Sequence, residues 1–244
     1  MKNPYRVLGV GLAVGGALFA PIAYFIVASV PLAAFGLSAI MIGVTCVALA
    51  QARPYISPEA SEVILRTGME NTAALLEELG LNTKAIYLPS SMRDGKPQAL
   101  VPLSRDGTPK LLEGKISGRL IVRYGVNPND MGIAVTTPGS INIADLPDKP
   151  GPAVEEIESA INYVLLGLLD LASSASVSLR ENLVTVEVKG AKLHYEDIWY
   201  YRCLGSPVAS IVATITCEAL NKPLRITEET YHRGNSTIVL EVLP

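Results

Sequence analysis

Residues 7–52, "VLGVGLAVGGALFAPIAYFIVASVPLAAFGLSAIMIGVTCVALAQA", contain no Asp, Glu, Lys or Arg. As one continuous α-helix this stretch would extend roughly 70 Å, about twice the thickness of a bilayer hydrocarbon core. Two crossings are therefore predicted, near residues 7–28 and 31–50, joined by a tight turn. Pro31 suits the first turn of the second helix, where a missing N–H costs least. We expect residues 1–52 to form a transmembrane helical hairpin with the lipid bilayer as its partner.

The start of this stretch comes close to a dinucleotide-binding fingerprint. Gly9 and Gly11 match the first two positions of GxGxxG, but Val14 occupies the third glycine position. The fingerprint also needs a strand before it, a helix after it and an acidic residue about 20 positions further on to bind the ribose. The uncharged stretch supplies no such acid, so nucleotide binding is not expected.

The small residues of the stretch instead predict close packing of helices in lipid. Gly11 and Gly15 form a GxxxG pair on the first span. Ala39 and Gly43 offer a matching small-residue surface on the second span. Such residues let two helix backbones approach each other closely. The pattern leaves open whether the contact forms within the hairpin or by self-association of two chains.

Charges beside the spans indicate the orientation. Lys2 and Arg6 precede the first span and Arg53 follows the second. Positive flanks are typical of the cytoplasmic side, and two crossings place both ends on the same side. We expect a multi-pass protein of the cell membrane with both termini in the cytoplasm. A cleaved signal peptide is the competing interpretation, but the apolar stretch is too long for one.

Composition limits the function of the remainder. Without Lys2 and Arg6, the chain has 18 basic and 23 acidic residues, a balance of −5. This balance argues against a nucleic-acid partner. The three cysteines show neither the number nor the spacing of a disulfide framework. Residues 53–244 are enough for one sizeable globular domain or two small ones.

The first part of this remainder, residues 53–137, is predicted to be a helix followed by antiparallel strands. Ser57 is a possible N-cap, Pro58 suits the first helical position, and Gly80 is a plausible stop. Two Asp-Gly turns, at residues 94–95 and 106–107, separate apolar segments. The predicted strands are residues 85–89, 98–103, 119–125 and 131–137.

Residues 138–152 are rich in proline and are predicted to be a connector between subdomains. The second subdomain, residues 153–244, opens with a helix whose first turn holds the cluster Glu155, Glu156 and Glu158. A solvated helix face is the favoured interpretation of that cluster, with a catalytic role as the alternative. The further predicted elements are a strand at 182–190, a core helix from Pro207 to about Leu220, and a closing hairpin of 224–232 with the segment "STIVLEVL". The predicted fold class is therefore α+β.

Cys203 and His194 form the candidate catalytic pair, because a neighbouring imidazole can activate a thiol as a nucleophile. No recognisable motif surrounds Cys203, so a buried structural cysteine is the favoured interpretation. His194 and His232 have no cysteine or carboxylate cluster at ligand spacing, so no metal is predicted. No Walker loop is present either, and no cofactor is expected.

A ligand or partner surface is predicted around the start of the core helix. Gly205 and Ser206 could bind an anion through free N–H groups, although a Ser-Pro pair is also an ordinary helix cap. Aromatic side chains just before them combine apolar area with polar groups, which suits either a core face or a binding surface. The candidate surface consists of Tyr195, Trp199, Tyr201, Gly205 and Ser206.

Two segments, "NTAALLEELGL...AIYLP...ALVPL" and "YYRCLGSPVASIVATITCEALNKPLRI", carry a resemblance to uncharacterised membrane-anchored proteins of archaea. The proteins that this chain resembles have a short hydrophobic hairpin ahead of a cytosolic domain of unknown function. The resemblance covers about a third of the chain. It implies no substrate and no functional residue.

The sequence as a whole predicts a membrane-tethered cytoplasmic domain with a binding, scaffold or regulatory role and no catalytic activity. The reasons are the short tether, the helix-packing surface and the absence of a recognisable catalytic motif. Two alternatives stay open. One is a membrane-bound thiol hydrolase or transferase using Cys203 and His194. The other is an assembly subunit of a larger membrane complex.

Overall fold

The computed structural model describes residues 4–52, 58–93, 95–103, 115–193 and 199–244. The chain divides into two compact units, residues 1–65 and 66–244. Helix α3, Pro58–Glu78, contains the boundary between them. The predicted Asp-Gly turn at 106–107 lies outside the described residues, as does Asp94 of the other turn.

The first unit contains the two apolar helices that the uncharged stretch predicts. Helix α1 is Pro4–Phe25 and helix α2 is Val30–Ala52. The turn between them places Ala28 at φ 53°, a left-handed conformation. By length and composition, Val7–Phe25 and Val30–Leu49 are apolar enough to cross a membrane, with mean hydropathies of 1.9 and 2.3. The unit is compatible with membrane association.

Helices α1 and α2 pack against each other through small residues. A Cβ atom added to Gly9 would lie 2.8 Å from the carbonyl oxygen of Gly43, and one added to Gly16 would lie 2.6 Å from that of Gly36. Gly43 therefore lies in the contact, and Ala39 is half-buried. Gly11 and Gly15 lie elsewhere on α1, with no described atom within 4 Å of the position of an added Cβ. Whether those two glycines pack on a second chain stays a prediction.

The second unit contains an antiparallel sheet of eight strands, in the order β3-β4-β2-β1-β7-β8-β6-β5. Every neighbouring pair is antiparallel, and the fold class is α+β, as predicted. The strands are β1 Ile86–Leu88, β2 Gln98–Pro102, β3 Ile121–Arg123, β4 Met131–Val135, β5 Ser174–Arg180, β6 Leu183–Lys189, β7 Leu224–His232 and β8 Asn235–Val242. Strands from both sides of residues 138–152 thus belong to one sheet.

The remaining helices belong to the same unit. They are α4 Pro138–Asn142, α5 Val154–Asn162, α6 Trp199–Leu204 and α7 Pro207–Leu220, with short 3₁₀ turns at Ser90–Met92 and Ile143–Asp145. Helix α5 continues as a π-helix over Tyr163–Leu168. Residues 138–152, predicted to be a connector, therefore contain a helix whose N-cap Thr137 forms a capping box with Ser140.

Helix α7 is the centre of the core. Ser206 caps its first turn, and Asn221, at φ 52°, ends it in the left-handed conformation. Every residue from Pro207 to Ala219 is buried. The segment Trp199–Leu220, which contains α6 and α7, is also apolar enough to cross a membrane by length and composition, but 94% of the 18-residue stretch that meets this test is buried inside the protein. Helix α7 is the core helix that the sequence predicts from Pro207 to about Leu220.

The sheet presents alternate side chains to its two faces, as β geometry requires. Val184, Val186 and Val188 of β6 join the helices in the main core. In β1, Tyr87 belongs to that core, whereas its neighbours Ile86 and Leu88 belong to a second apolar cluster on the opposite face. The helices therefore cover one face of the sheet, and the second cluster covers part of the other.

Candidate functional site

Two side chains of α6, Trp199 and Cys203, contact the backbone at Leu81, just after the end of α3. The indole Nε1–H of Trp199 donates to the carbonyl oxygen of Leu81 at 2.8 Å. The Cys203 Sγ lies 3.4 Å from the same oxygen. The Arg202 guanidinium lies 5.2 Å from the centre of the Trp199 ring. Trp199 and Cys203 therefore hold α6 against the chain that leaves α3.

The Cys203 thiol is not in an environment that favours a thiolate. Cys203 is 2% exposed to solvent. Burial raises the pKa of the Cys203 thiol, and the charge of Lys84 opposes that rise only in part. A reactive cysteine needs a lowered pKa and access to its substrate. His194, its predicted base, lies outside the described residues.

The N-terminus of α7 already has an anionic partner within the chain. The backbone N–H of Ser206 donates to Glu229 Oε2 at 3.0 Å, and Ser206 Oγ accepts from the N–H of Ala209 at 3.1 Å. Gly205, at φ 72°, leaves no room for a side chain, because an added Cβ would lie 2.7 Å from Ile226 Cδ1. Gly205 and Ser206 are both buried.

The residues predicted to form a surface around α6 and α7 therefore differ in their exposure, and Gly205 and Ser206 are not at the surface. Tyr195 lies outside the described residues. Trp199 and Tyr201 are half-buried, and the Tyr201 ring packs edge-on against Tyr200 with 5.8 Å between ring centres. In the part of the chain that the structure describes, no group of three His, Cys, Asp or Glu side chains could hold a metal ion.

A polar cluster that the sequence did not indicate lies at the other end of α7. Glu218 is 4% exposed. Its Oε2 accepts from the backbone N–H of Ser90 at 2.8 Å, and its Oε1 accepts from Ser90 Oγ at 2.5 Å. Lys149 Nζ lies 2.8 Å from the same Oε1. Asn221, just after α7, accepts from Ser91 Oγ at 2.6 Å.

Burial and hydrogen bonding act on the pKa of Glu218 in opposite directions. Burial alone would raise the pKa of this carboxyl, but the hydrogen bonds from Lys149 and Ser90 and the charge of Lys149 outweigh it. The net pKa is lowered from its ordinary value, so the carboxylate stays ionised. The cluster ties three segments that are distant in the sequence. Glu218 is the single charged residue of α7, and a lone charge in a core helix is the signal in the sequence that points to this cluster.

A groove of about 390 Å³ lies beside this cluster. One wall is the segment 146–150, which includes Lys149. The other wall is a face of α5 made of Glu155, Glu156, Ser159, Ala160 and Tyr163. Carboxylates rim the groove, while proline, alanine and the Tyr163 ring give it apolar surface. The groove therefore offers both charged and apolar contacts to a ligand.

The fold and these sites define a class of protein: an α+β domain that follows a helical hairpin apolar enough to cross a membrane. The chain belongs to the family described as "Domain of unknown function (DUF7982)", whose model matches residues 1–242. No curated protein and no solved structure matches the chain. The family match includes the hairpin as well as the sheet, so both are features of one family.

Proposed function

We propose that this protein is a membrane-tethered domain, facing the cytoplasm, that binds a protein partner and has a scaffold or regulatory role. The hairpin would span the bilayer twice, with Lys2, Arg6 and Arg53 on the cytoplasmic side. Only residues 53–57 separate α2 from α3, a length of at most about 20 Å when fully extended. A domain on such a short tether stays near the bilayer, where it can recruit or position a partner.

The observation that carries the proposal is that the candidate reactive groups, the Cys203 thiol and the N-terminus of α7, already contact other groups of the same chain. The Cys203 thiol contacts a backbone carbonyl and has a raised pKa. The α7 N-terminus is bonded to Glu229. Both groups serve the packing of the domain, which favours binding over thiol catalysis. We place the binding surface at the groove, since its polar side chains face solvent. The archaeal origin that the resemblance implies stays a prediction.

Assembly into a larger membrane complex, or self-association, is the second candidate. It is favoured by Gly11 and Gly15, which form a GxxxG pair away from the contact with α2. A partner helix packed on this pair would approach the α1 backbone closely. The two candidates differ in where the partner binds: on the α+β domain in the first and within the bilayer in the second.

The test is chemical cross-linking in intact membranes, followed by purification of the full-length protein in mild detergent. We expect a protein partner to cross-link to residues 66–244 at near-stoichiometric yield, and Cys203→Ala to leave that yield unchanged. Cross-links confined to the spans would favour the assembly candidate instead. A Cys203→Ala protein that keeps its fold and its partner but loses cellular function would contradict the proposal and support the thiol enzyme.

A further inference from the structure

The groove between residues 146–150 and α5 is negatively charged at its rim. Asp148, Glu155 and Glu156 line it, and all three are exposed. Lys149 is the basic residue of its lining, but the Lys149 ammonium is 2.8 Å from buried Glu218, which compensates its charge from inside the domain. The groove lining therefore carries three carboxylates against one ammonium, and that ammonium is already paired with Glu218.

The Glu156 carboxylate lies against the backbone of Gly151 at the groove. A Cβ atom added to Gly151 would collide with the Glu156 carboxylate, so that carboxylate rests directly against the Gly151 backbone. The N–H of Glu156 also donates to the Ala153 carbonyl at 3.1 Å in the first turn of α5. Gly151 thus leaves the space that Glu156 occupies at the groove.

The floor of the groove supplies apolar contact. Pro150 and Ala160 are buried beneath it, and Tyr163 is 43% exposed at its end. Tyr163 is also the first residue of the π-helix, in which the N–H of Leu169 donates to the Val164 carbonyl at 3.0 Å. Such wide turns are rare and occur often at functional sites. An aromatic ring beside carboxylates suits a cation with an apolar stem.

We propose that this groove binds a lysine- or arginine-rich segment of the protein partner. The aliphatic stem of a basic side chain would lie on Pro150 and Ala160, with its charged group between Glu155, Glu156 and Asp148. This inference rests on the proposed binding function and names the partner's chemistry. Charge complementarity of this kind steers association and determines which partner is accepted.

The test uses full-length protein in detergent and a labelled peptide of alternating Arg and Ala, with binding followed by fluorescence anisotropy. We expect the double variant Glu155→Gln/Glu156→Gln to weaken binding at least fivefold. The matched control is Glu187→Gln/Glu228→Gln, which removes the same charge from exposed positions in β6 and β7. The control should change affinity less than twofold, and raising the salt concentration should weaken binding of the unaltered protein.

A variant that keeps every charge tests whether binding depends on the position of the Glu156 carboxylate or only on the net charge of the protein. Gly151→Ala must displace the Glu156 carboxylate while every charge is kept, and we expect it to weaken binding two- to fivefold with unfolding temperature unchanged. Equal losses in the groove variant and the control would overturn the proposal, because binding would then depend on net charge alone. Tighter binding of an alternating Glu and Ala peptide, or of inorganic phosphate, would also overturn it.

Failure of this proposal is distinguishable from failure of the proposed function. If membrane cross-linking gives a stoichiometric partner on residues 66–244 while the basic peptide does not bind, the binding function stands and the groove assignment is wrong. If no partner cross-links and no peptide binds, both are wrong.

Discussion

Thr227 shows how one residue changes the face to which a side chain points. The pairing of β7 with β8 shifts register between Ile226 and Glu228, which is a β-bulge at Thr227. In a regular strand Ile226 and Glu229 would point to opposite faces, whereas the extra residue brings Glu229 to the helix side. Its carboxylate then reaches the N–H of Ser206 at the start of α7. A carboxylate at this end of a helix is stabilised by the helix dipole.

Glu218 is a buried charged residue of the second unit, with partners from two distant segments. We expect Glu218→Gln to lower the free energy of unfolding by about 1–3 kcal/mol at pH 7, because the Lys149 and Ser90 donors lose an ionised acceptor. Chemical denaturation of the variant and the unaltered protein gives this difference directly.

The effect of Glu218 depends on pH in a defined direction. Its folded pKa lies below the ordinary value of 4.5, so the carboxylate stabilises the fold fully above that value. The contribution is lost as the pH falls through the lower folded pKa, and the two proteins should then converge in stability. Glu187→Gln, at an exposed position, is the control and should change the free energy of unfolding little at either pH. A Glu218→Gln difference that persists in acid would contradict this account.

Sequence reasoning had no access to contacts of this kind. Ser90 and Glu218 are 128 residues apart, and neither belongs to a recognisable motif. Glu229 looks like one of several acids in an alternating strand until the bulge is known. The caps of α7 were visible, because Ser206, Pro207 and Asn221 act locally on the helix they bound. Local chemistry is readable from sequence, whereas the meeting of distant side chains follows from the fold.

At the scale of elements, the edge strand β5 shows why one strand escaped prediction. Its sequence, "SASVSLR", has serine at every second position and little apolar content. Its outer edge is covered by side chains of α5: the Asn162 carboxamide bonds both the N–H and the carbonyl of Ala175 at 2.8 Å, and Glu158 accepts from the Val177 N–H at 2.8 Å. Covered edges resist pairing with other chains. The acidic cluster of α5 thus contributes Glu158 to the sheet.

The strands and helices with clear periodicity were predicted more closely. Helix α7 begins at the predicted residue, and strands β1, β2, β6, β7 and β8 lie within the predicted segments or overlap them almost fully. Helix α4 was missed because prolines at 138 and 147 dominate its segment. Proline at the first position of α4 starts that helix instead of preventing it.

Two adjacent glycines of α1 give a matched test of the hairpin. Gly16 lies against the Gly36 carbonyl, whereas Gly15 has open space around it. We expect Gly16→Leu to weaken the α1–α2 contact by about 1–3 kcal/mol, since an inserted side chain must force the backbones apart. Gly15→Leu should be neutral in a monomer. Unfolding by added SDS, followed by circular dichroism, compares the two variants; equal midpoints would contradict the packing described.

At the scale of the whole molecule, the two compact units lead to a test of attachment to the membrane. We expect the full chain to stay in the membrane pellet after alkaline carbonate washing and to be released by detergent. A chain of residues 66–244 should remain in the supernatant with circular dichroism typical of mixed helix and strand, because that unit holds the whole sheet and its core. Full-length protein in the carbonate supernatant would contradict the transmembrane hairpin.

The buried apolar helix α7 has a consequence for how the chain is made. Together with α6 it forms the apolar segment Trp199–Leu220, whose mean hydropathy is 1.5, against 1.9 and 2.3 for the two N-terminal segments. Strands β7 and β8, which lie against the same core, leave the ribosome only after α7. Until they are synthesised, the insertion machinery meets a third segment long enough to enter the bilayer. We therefore expect α7 to need shielding by the earlier part of the domain during the time in which the last two strands are translated.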